Sequence, residues 1–219
     1  MRTYSTERAH ETARGKRTWT SSWHPSCYNF DSFYVRNILT ERPLKASNTV
    51  NPHLETLQRE VISSIAGLSA EELRQHAPGK WCIAEILEHL YLTYTGTLRG
   101  FERVVAAQKS QATKPTWKQR TRVIVVVGFG YLPSGRKSPP VARPRGTPSD
   151  SVLADIGTKI NEMDDMISRC EIELGRRTRV LDHPVLGPLT ANQWRKFHLV
   201  HGQHHVKQIT RLRQNTNQK

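Results

Sequence analysis

The sequence lacks the features of a membrane protein and of a disulfide-stabilised protein. It has no run of about 18 apolar residues, so no transmembrane helix is expected. The arginines near its start are not followed by the apolar block of a secretory signal. Only three of the 219 residues are cysteines, and their wide spacing argues against a disulfide scaffold. These absences predict a cytoplasmic protein that does not associate with membranes.

Acidic residues are scarce in one part of the chain, and this locates the net charge of +14. Residues 99–146 contain eleven basic residues and one acidic residue, whereas residues 48–98 carry a net charge of −3. A basic surface can bind nucleic acid. A solvated basic connection is the favoured interpretation of charge that is concentrated in one segment. We therefore expect no nucleic-acid partner, with weak association through residues 99–146 as an alternative.

Regular hydrophobic spacing is missing from the first 47 residues. Hydrophobic residues make up only 36% of the chain, which suits a protein with a segment outside any core. We interpret residues 1–47 as a poorly ordered N-terminal extension, with a short docked helix around Ser32–Leu39 as one exception. Residues 48–215 are predicted to form a single domain.

Apolar residues recur at helical spacing in four long segments of this domain. The four predicted helices cover about residues 52–66, 83–107, 149–174 and 191–213. A capping box predicts a further short helix from Ser69. Two stretches rich in proline interrupt the pattern, an irregular segment over 108–149 and a connecting loop over 183–189. The predicted fold class is all-α.

Four of the ten histidines fall within eight residues of the last predicted helix. His201 and His205 are four positions apart and therefore share one face, at the spacing that lets two imidazoles bind one transition-metal ion. The residue after His201 is Gly202, so the glutamate of a His-Glu-x-x-His protease is absent. His198 lies on the same stripe and is an alternative ligand, whereas His204 lies off it.

The second long helix carries one histidine on its inward half. His89 follows Ile86 by three residues, and such a residue is either a hydrogen-bonded core histidine or a metal ligand. We expect Glu88 to face solvent and Glu85 to be at most a partner of His89 one turn away. Cys82 is interpreted as a small buried apolar residue.

Two motifs together resemble the DinB-like (DinB/YfiT) superfamily. They are residues 79–90, GKWCIAEILEHL, and residues 201–209, HGQHHVKQI. The resemblance covers about residues 50–213. It implies a four-helix bundle with an up-down-down-up path, in which the basic segment 108–149 is a long crossover between helices two and three. It also implies a divalent metal held by three histidines, which correspond to His89, His201 and His205.

Three neutral imidazoles leave at least one position on a metal open. Such a metal can lower the pKa of bound water to about 7 or hold a thiolate nucleophile. Zinc, nickel and iron are all compatible with imidazole ligands. The resemblance thus implies a metal-dependent hydrolase or thiol transferase that acts on a small molecule, for example a low-molecular-weight thiol. No further catalytic residue is identified.

A second hypothesis is a non-catalytic bundle whose metal site is structural or vestigial. It predicts a buried site with no substrate cavity beside it. The sequence leaves open whether the outer helix faces form a homodimer.

Overall fold

The computed structural model describes residues 51–133, 135 and 137–216. The described chain is mostly helical, as predicted. Its four long helices are α1 (Pro52–Ile65), α3 (Ile83–Ala107), α5 (Ser149–Leu174) and α6 (Ala191–Thr216). The short helices are α2 (Ala70–Arg74) and α4 (Trp117–Val123). The predicted N-terminal extension and its helix around Ser32–Leu39 lie outside the described residues.

Side-chain caps explain where several helices begin. Asn51 accepts a hydrogen bond from the backbone N–H of His53, and the next residue, Pro52, suits the first helical turn. The capping box predicted from Ser69 is present at the start of α2. At the start of α6, Gln193 N–H donates to Thr190 Oγ1 at 3.3 Å, and Thr190 N–H donates to Gln193 Oε1 at 3.0 Å. These caps satisfy backbone donors that a helix leaves unpaired at its first turn.

The apolar stripes of the four long helices meet in one core. Helix α3 packs mainly against α5, and α1 mainly against α6. Each large apolar side chain that is fully buried contributes about 1.5–3 kcal/mol relative to exposure. These side chains come from all four long helices: Leu54, Leu57, Leu87, Leu90, Phe101, Ile156, Ile160, Met163, Ile167 and Ile209.

A buried ion pair joins α5 to α6. Arg195 Nε lies 2.7 Å from Asp164 Oδ1, and Arg195 Nη1 lies 2.6 Å from Glu171 Oε2. The side chains of Arg195 and Asp164 are each only 4% exposed. Because a buried charge is costly without its partner, this pair ties the two helices to one register.

The connecting loop predicted over 183–189 is instead part of a hairpin. Strand β1 (Arg179–His183) pairs antiparallel with β2 (Gly187–Thr190), with Leu181 opposite Leu189. Gly187 has a φ of 73°, which glycine adopts without a steric penalty. The two strands have only five and four residues, which is too short to show an alternating pattern, so the sequence did not predict the hairpin. It is the one departure from an all-helical fold in the described part of the chain.

The basic segment after α3 covers one side of the domain. It contains α4, a π-helical turn (Ile124–Gly128) and a 3₁₀ turn (Pro140–Ala142). The valine-rich stretch 123–127 is therefore helical, although valine and isoleucine favour strands by propensity. The π-helical turn contacts α6, and the 3₁₀ turn contacts α3. No helix in the described ranges is both long enough and apolar enough to cross a membrane.

Candidate metal centre

Three imidazole rings from two helices meet at one point. His89 lies on α3, while His201 and His205 lie one turn apart on α6. The Nε2 atom of His201 lies 3.2 Å from Nε2 of His89 and 3.1 Å from Nε2 of His205. A tetrahedral metal with metal–nitrogen bonds of about 2.0–2.1 Å separates its ligand atoms by about 3.3 Å. These two separations therefore lie close to the spacing that one metal ion requires, and all three ligand atoms lie within 4.8 Å of one another.

Hydrogen bonds on the far side of two rings determine which nitrogens carry protons. His89 Nδ1 lies 2.6 Å from the carbonyl oxygen of Ala142 and donates to it, so His89 Nε2 is an unprotonated lone pair. His205 Nδ1 lies 2.9 Å from Gln208 Oε1. The amide nitrogen of Gln208 lies 3.1 Å from His204 Nε2, so its oxygen faces His205. His205 Nε2 therefore also carries a lone pair rather than a proton.

At least two lone pairs thus face one another in a buried space. His201 can offer one proton at most, and its buried Nδ1 has no hydrogen-bond partner among residues 51–133, 135 and 137–216. Burial, followed by charge repulsion from the other rings, lowers the pKa of His201 well below its usual value and that of His205 to about 3. Burial also lowers the pKa of His89. Neutral imidazoles that converge through Nε2 suit a metal ion, and this group could hold one.

Aromatic rings pack against two of the three histidines. The ring of Phe197 stacks on His201 with centroids 5.3 Å apart and an interplanar angle of 13°. The ring of Trp81 lies 5.3 Å from that of His89. This apolar wall removes water from the imidazoles and so favours their neutral, metal-binding form.

The prediction that Glu88 faces solvent is wrong, because Glu88 is only 3% exposed. Its carboxylate accepts hydrogen bonds from the backbone N–H groups of Arg145, Gly146 and Thr147 at 2.9, 3.1 and 3.0 Å, and from the Thr147 hydroxyl. Burial raises the pKa of Glu88, but these hydrogen bonds together outweigh that effect and lower it. Glu88 thereby fixes the end of the segment that brings Ala142 to His89.

One comparison with known proteins gives a match. A family model described as "Protein of unknown function (DUF1569)" matches residues 53–212. The chain belongs to this family. No curated protein and no solved structure matches it. The matched region runs from α1 to α6, so all three converging histidines lie within the DUF1569 domain.

The other candidate residues of the DUF1569 domain lie apart from the three histidines. His198 packs against Trp194 and Tyr94, with ring centroids 5.7 and 5.6 Å away, and does not join the converging group. His204 is a neighbour of the group rather than a member of it: its ring lies edge-on to that of His205 with centroids 5.3 Å apart, and its Nε2 lies 3.1 Å from the Gln208 amide nitrogen. Glu85 caps α3 by accepting a hydrogen bond from the backbone N–H of Cys82 at 2.8 Å.

A cavity of about 1350 Å³ opens beside the three histidines of the DUF1569 domain. His89, His201 and His205 all line it, together with residues from the 108–149 segment and from the hairpin. Sequence reasoning missed the contribution of Ala142 and Glu88. Both act through contacts more than 50 positions apart along the chain, which no local pattern signals.

Proposed function

We propose that this DUF1569 domain is a DinB-like four-helix bundle that acts as a metal-dependent enzyme, either a hydrolase or a thiol transferase. Its substrate is a small molecule, such as a low-molecular-weight thiol. The convergence of three buried Nε2 atoms from His89, His201 and His205 carries the proposal. Zinc, nickel and iron all suit this ligand set. When bound, the metal supplies Lewis acidity, which activates water or holds a thiolate.

The protein's own residues prepare the site for such a metal. The Ala142 carbonyl and the Gln208 amide oxygen each hold a proton on Nδ1, which leaves the opposite Nε2 free to bind. Phe197 and Trp81 exclude water from the rings. His201 Nδ1 lacks a hydrogen-bond partner among the described residues, so ring packing against Phe197 and His89 holds this imidazole in place.

The cavity favours an enzyme over a structural metal site. A structural site is closed by four protein ligands, whereas a catalytic site keeps a position open to substrate. Here three histidines border a space of about 1350 Å³. The alternative of a non-catalytic bundle predicts no such space beside the histidines.

Two model reactions test the proposal on protein loaded with each of the three metals. One is hydrolysis of p-nitrophenyl acetate, and the other is transfer of glutathione to 1-chloro-2,4-dinitrobenzene. We expect at least one reaction to exceed the rate of free metal and to be lost in His201→Ala. The matched control is His53→Ala, because His53 lies on α1 and does not line the cavity. Equal rates in the parent and in a folded His201→Ala variant would contradict the proposal.

A further inference from the structure

The cavity beside the three histidines is strongly unbalanced in charge. Asp182 is the one carboxylate among the described residues that line it. Both of its oxygens accept hydrogen bonds from Thr113, at 3.0 and 2.7 Å. Six basic residues line the same space: Lys80, Arg103, Arg122, Lys137, Arg143 and Arg211.

These six cations have no carboxylate partner within the described chain. The lysine and arginine ion pairs there involve four other residues, Lys159, Arg169, Arg176 and Arg195. Cations that surround a concave, partly apolar space focus a positive potential into it. All six residues are solvent-exposed and no described carboxylate pairs with them, so the space attracts an anion from solution.

The cavity is elongated along α3. Thr93, Gly96 and Thr97 line it between His89 and Arg103. A Cβ atom added at Gly96 would meet nothing within 4 Å, so the wall is open there. At 1.5 Å per residue, Arg103 lies about 21 Å from His89 along the helix axis. We call the part of the cavity between the three histidines and Arg103 the channel. Lys80, which precedes His89 in the chain, and Arg211, which follows His205, line the cavity beyond the histidines.

Apolar side chains line the channel between its ends. Val125 and Val126 of the π-helical turn and Leu132 face the same cavity. Arg122, from α4, donates to the carbonyl oxygen of Val185 at 3.1 Å, which fixes it against the hairpin. A ligand that spans the channel would contact an apolar wall in its middle and a guanidinium at its far end.

We infer that the site takes an elongated anionic substrate, which reacts at the three histidines and binds Arg103 through a carboxylate or phosphate group. This inference rests on the proposed metal-dependent function and adds the class of substrate. A guanidinium binds both kinds of acid through paired, charge-assisted hydrogen bonds. The apolar wall accommodates the aliphatic part of the molecule that joins the acid to the reacting group.

Mono-hydroxamates of dicarboxylic acids of graded length test this arrangement, since the hydroxamate binds metal and the free acid can reach Arg103. Their affinities for the metal-loaded full chain are compared, by calorimetry, with those of their methyl esters and of the matching phosphonates. We expect the acid to bind about tenfold to a hundredfold more tightly than its ester at the optimal length. The carboxylate and phosphonate series show which acid the channel prefers. High salt reduces the advantage.

The variant Arg103→Gln should lose at least about tenfold of this advantage while binding the ester as before. The control is Arg99→Gln, because Arg99 lies one turn earlier on α3, is exposed and does not line the cavity. An acid that binds no better than its ester at any length overturns the inference, provided that acetohydroxamate binds. Acetohydroxamate is too short to reach Arg103, so its failure to bind would instead overturn the proposed metal site, and the inference with it.

Discussion

Replacing Glu88 with glutamine should destabilise the domain and weaken its metal site together. The carboxylate accepts four hydrogen bonds from Arg145, Gly146 and Thr147. A hydrogen bond to an ionised group contributes about 1.5–3 kcal/mol, against about 0.5–1.5 kcal/mol for a neutral one. The amide also turns an NH₂ group toward a backbone N–H. Since part of the cost of burying a charge is recovered, we expect a net loss of about 2–3 kcal/mol in the free energy of unfolding.

The same substitution tests how the 108–149 segment positions His89. If the Glu88→Gln substitution releases residues 145–147, the Ala142 carbonyl no longer accepts the hydrogen bond from His89 Nδ1. Loss of such a supporting hydrogen bond lowers metal affinity by about tenfold to a hundredfold. We therefore expect weaker metal binding in Glu88→Gln even under conditions where the variant is fully folded.

Urea denaturation of the metal-free protein at pH 7 and metal titration against a chromophoric chelator measure the two effects. Glu102→Gln is the matched control, because Glu102 lies on the same helix and is exposed. It should change stability by no more than about 0.5 kcal/mol. A Glu88→Gln variant that matches this control in both assays would contradict the prediction, since Glu88 would then hold neither the segment nor the ligand in place.

Three further predictions concern packing, pH and the buried ion pair. Gly202→Ala should destabilise the domain by about 1–2 kcal/mol in denaturation, because the new methyl group would overlap Leu57. Gly96→Ala, where the new methyl group meets open space, should stabilise the helix by up to about 1 kcal/mol because alanine has the higher helix propensity. Burial lowers the pKa of His198 to about 3. Below about pH 6.5 the unfolded chain therefore binds a proton at this residue that the folded chain does not, so the free energy of unfolding falls as the pH drops. His198→Phe should remove about 2 kcal/mol of that loss between pH 7 and pH 5. Arg195→Met should cost about 3–5 kcal/mol in the same assay, because it leaves two carboxylates without their buried partner.

Local sequence patterns were sufficient to predict the four long helices, but not α4, which lies in the segment expected to be irregular. The stripe from Leu54 to Ile65 and the cap at Asn51 are both contained within a few turns of chain, and α1 has the predicted bounds to within about a residue. The spacing of His201 and His205 likewise sets their common face without any tertiary information. The DinB resemblance added His89, and the structure brings its ring to the other two.

The surroundings of these histidines depend on contacts between distant parts of the chain. The position of Glu88 on α3 suggests a solvated residue, because the sequence does not show that the 108–149 segment packs there. That segment donates three backbone N–H groups to the carboxylate. His198 has the right spacing for a ligand, but its ring packs against Trp194 and Tyr94 instead. The charge of the cavity also comes from separate segments. The sequence suggests that the basic residues of 99–146 are simply solvated, but two of them, Arg103 and Arg122, line the same cavity.

The metal content of the purified protein shows whether the three histidines form one metal site. We would measure it by elemental analysis of protein purified without a histidine tag, in the parent and in the His89→Ala, His201→Ala and His53→Ala variants. We expect about one transition-metal ion per chain in the parent and in His53→Ala, and its loss in both His89→Ala and His201→Ala. A parent protein that binds no metal after reconstitution with zinc, nickel or iron would contradict this expectation.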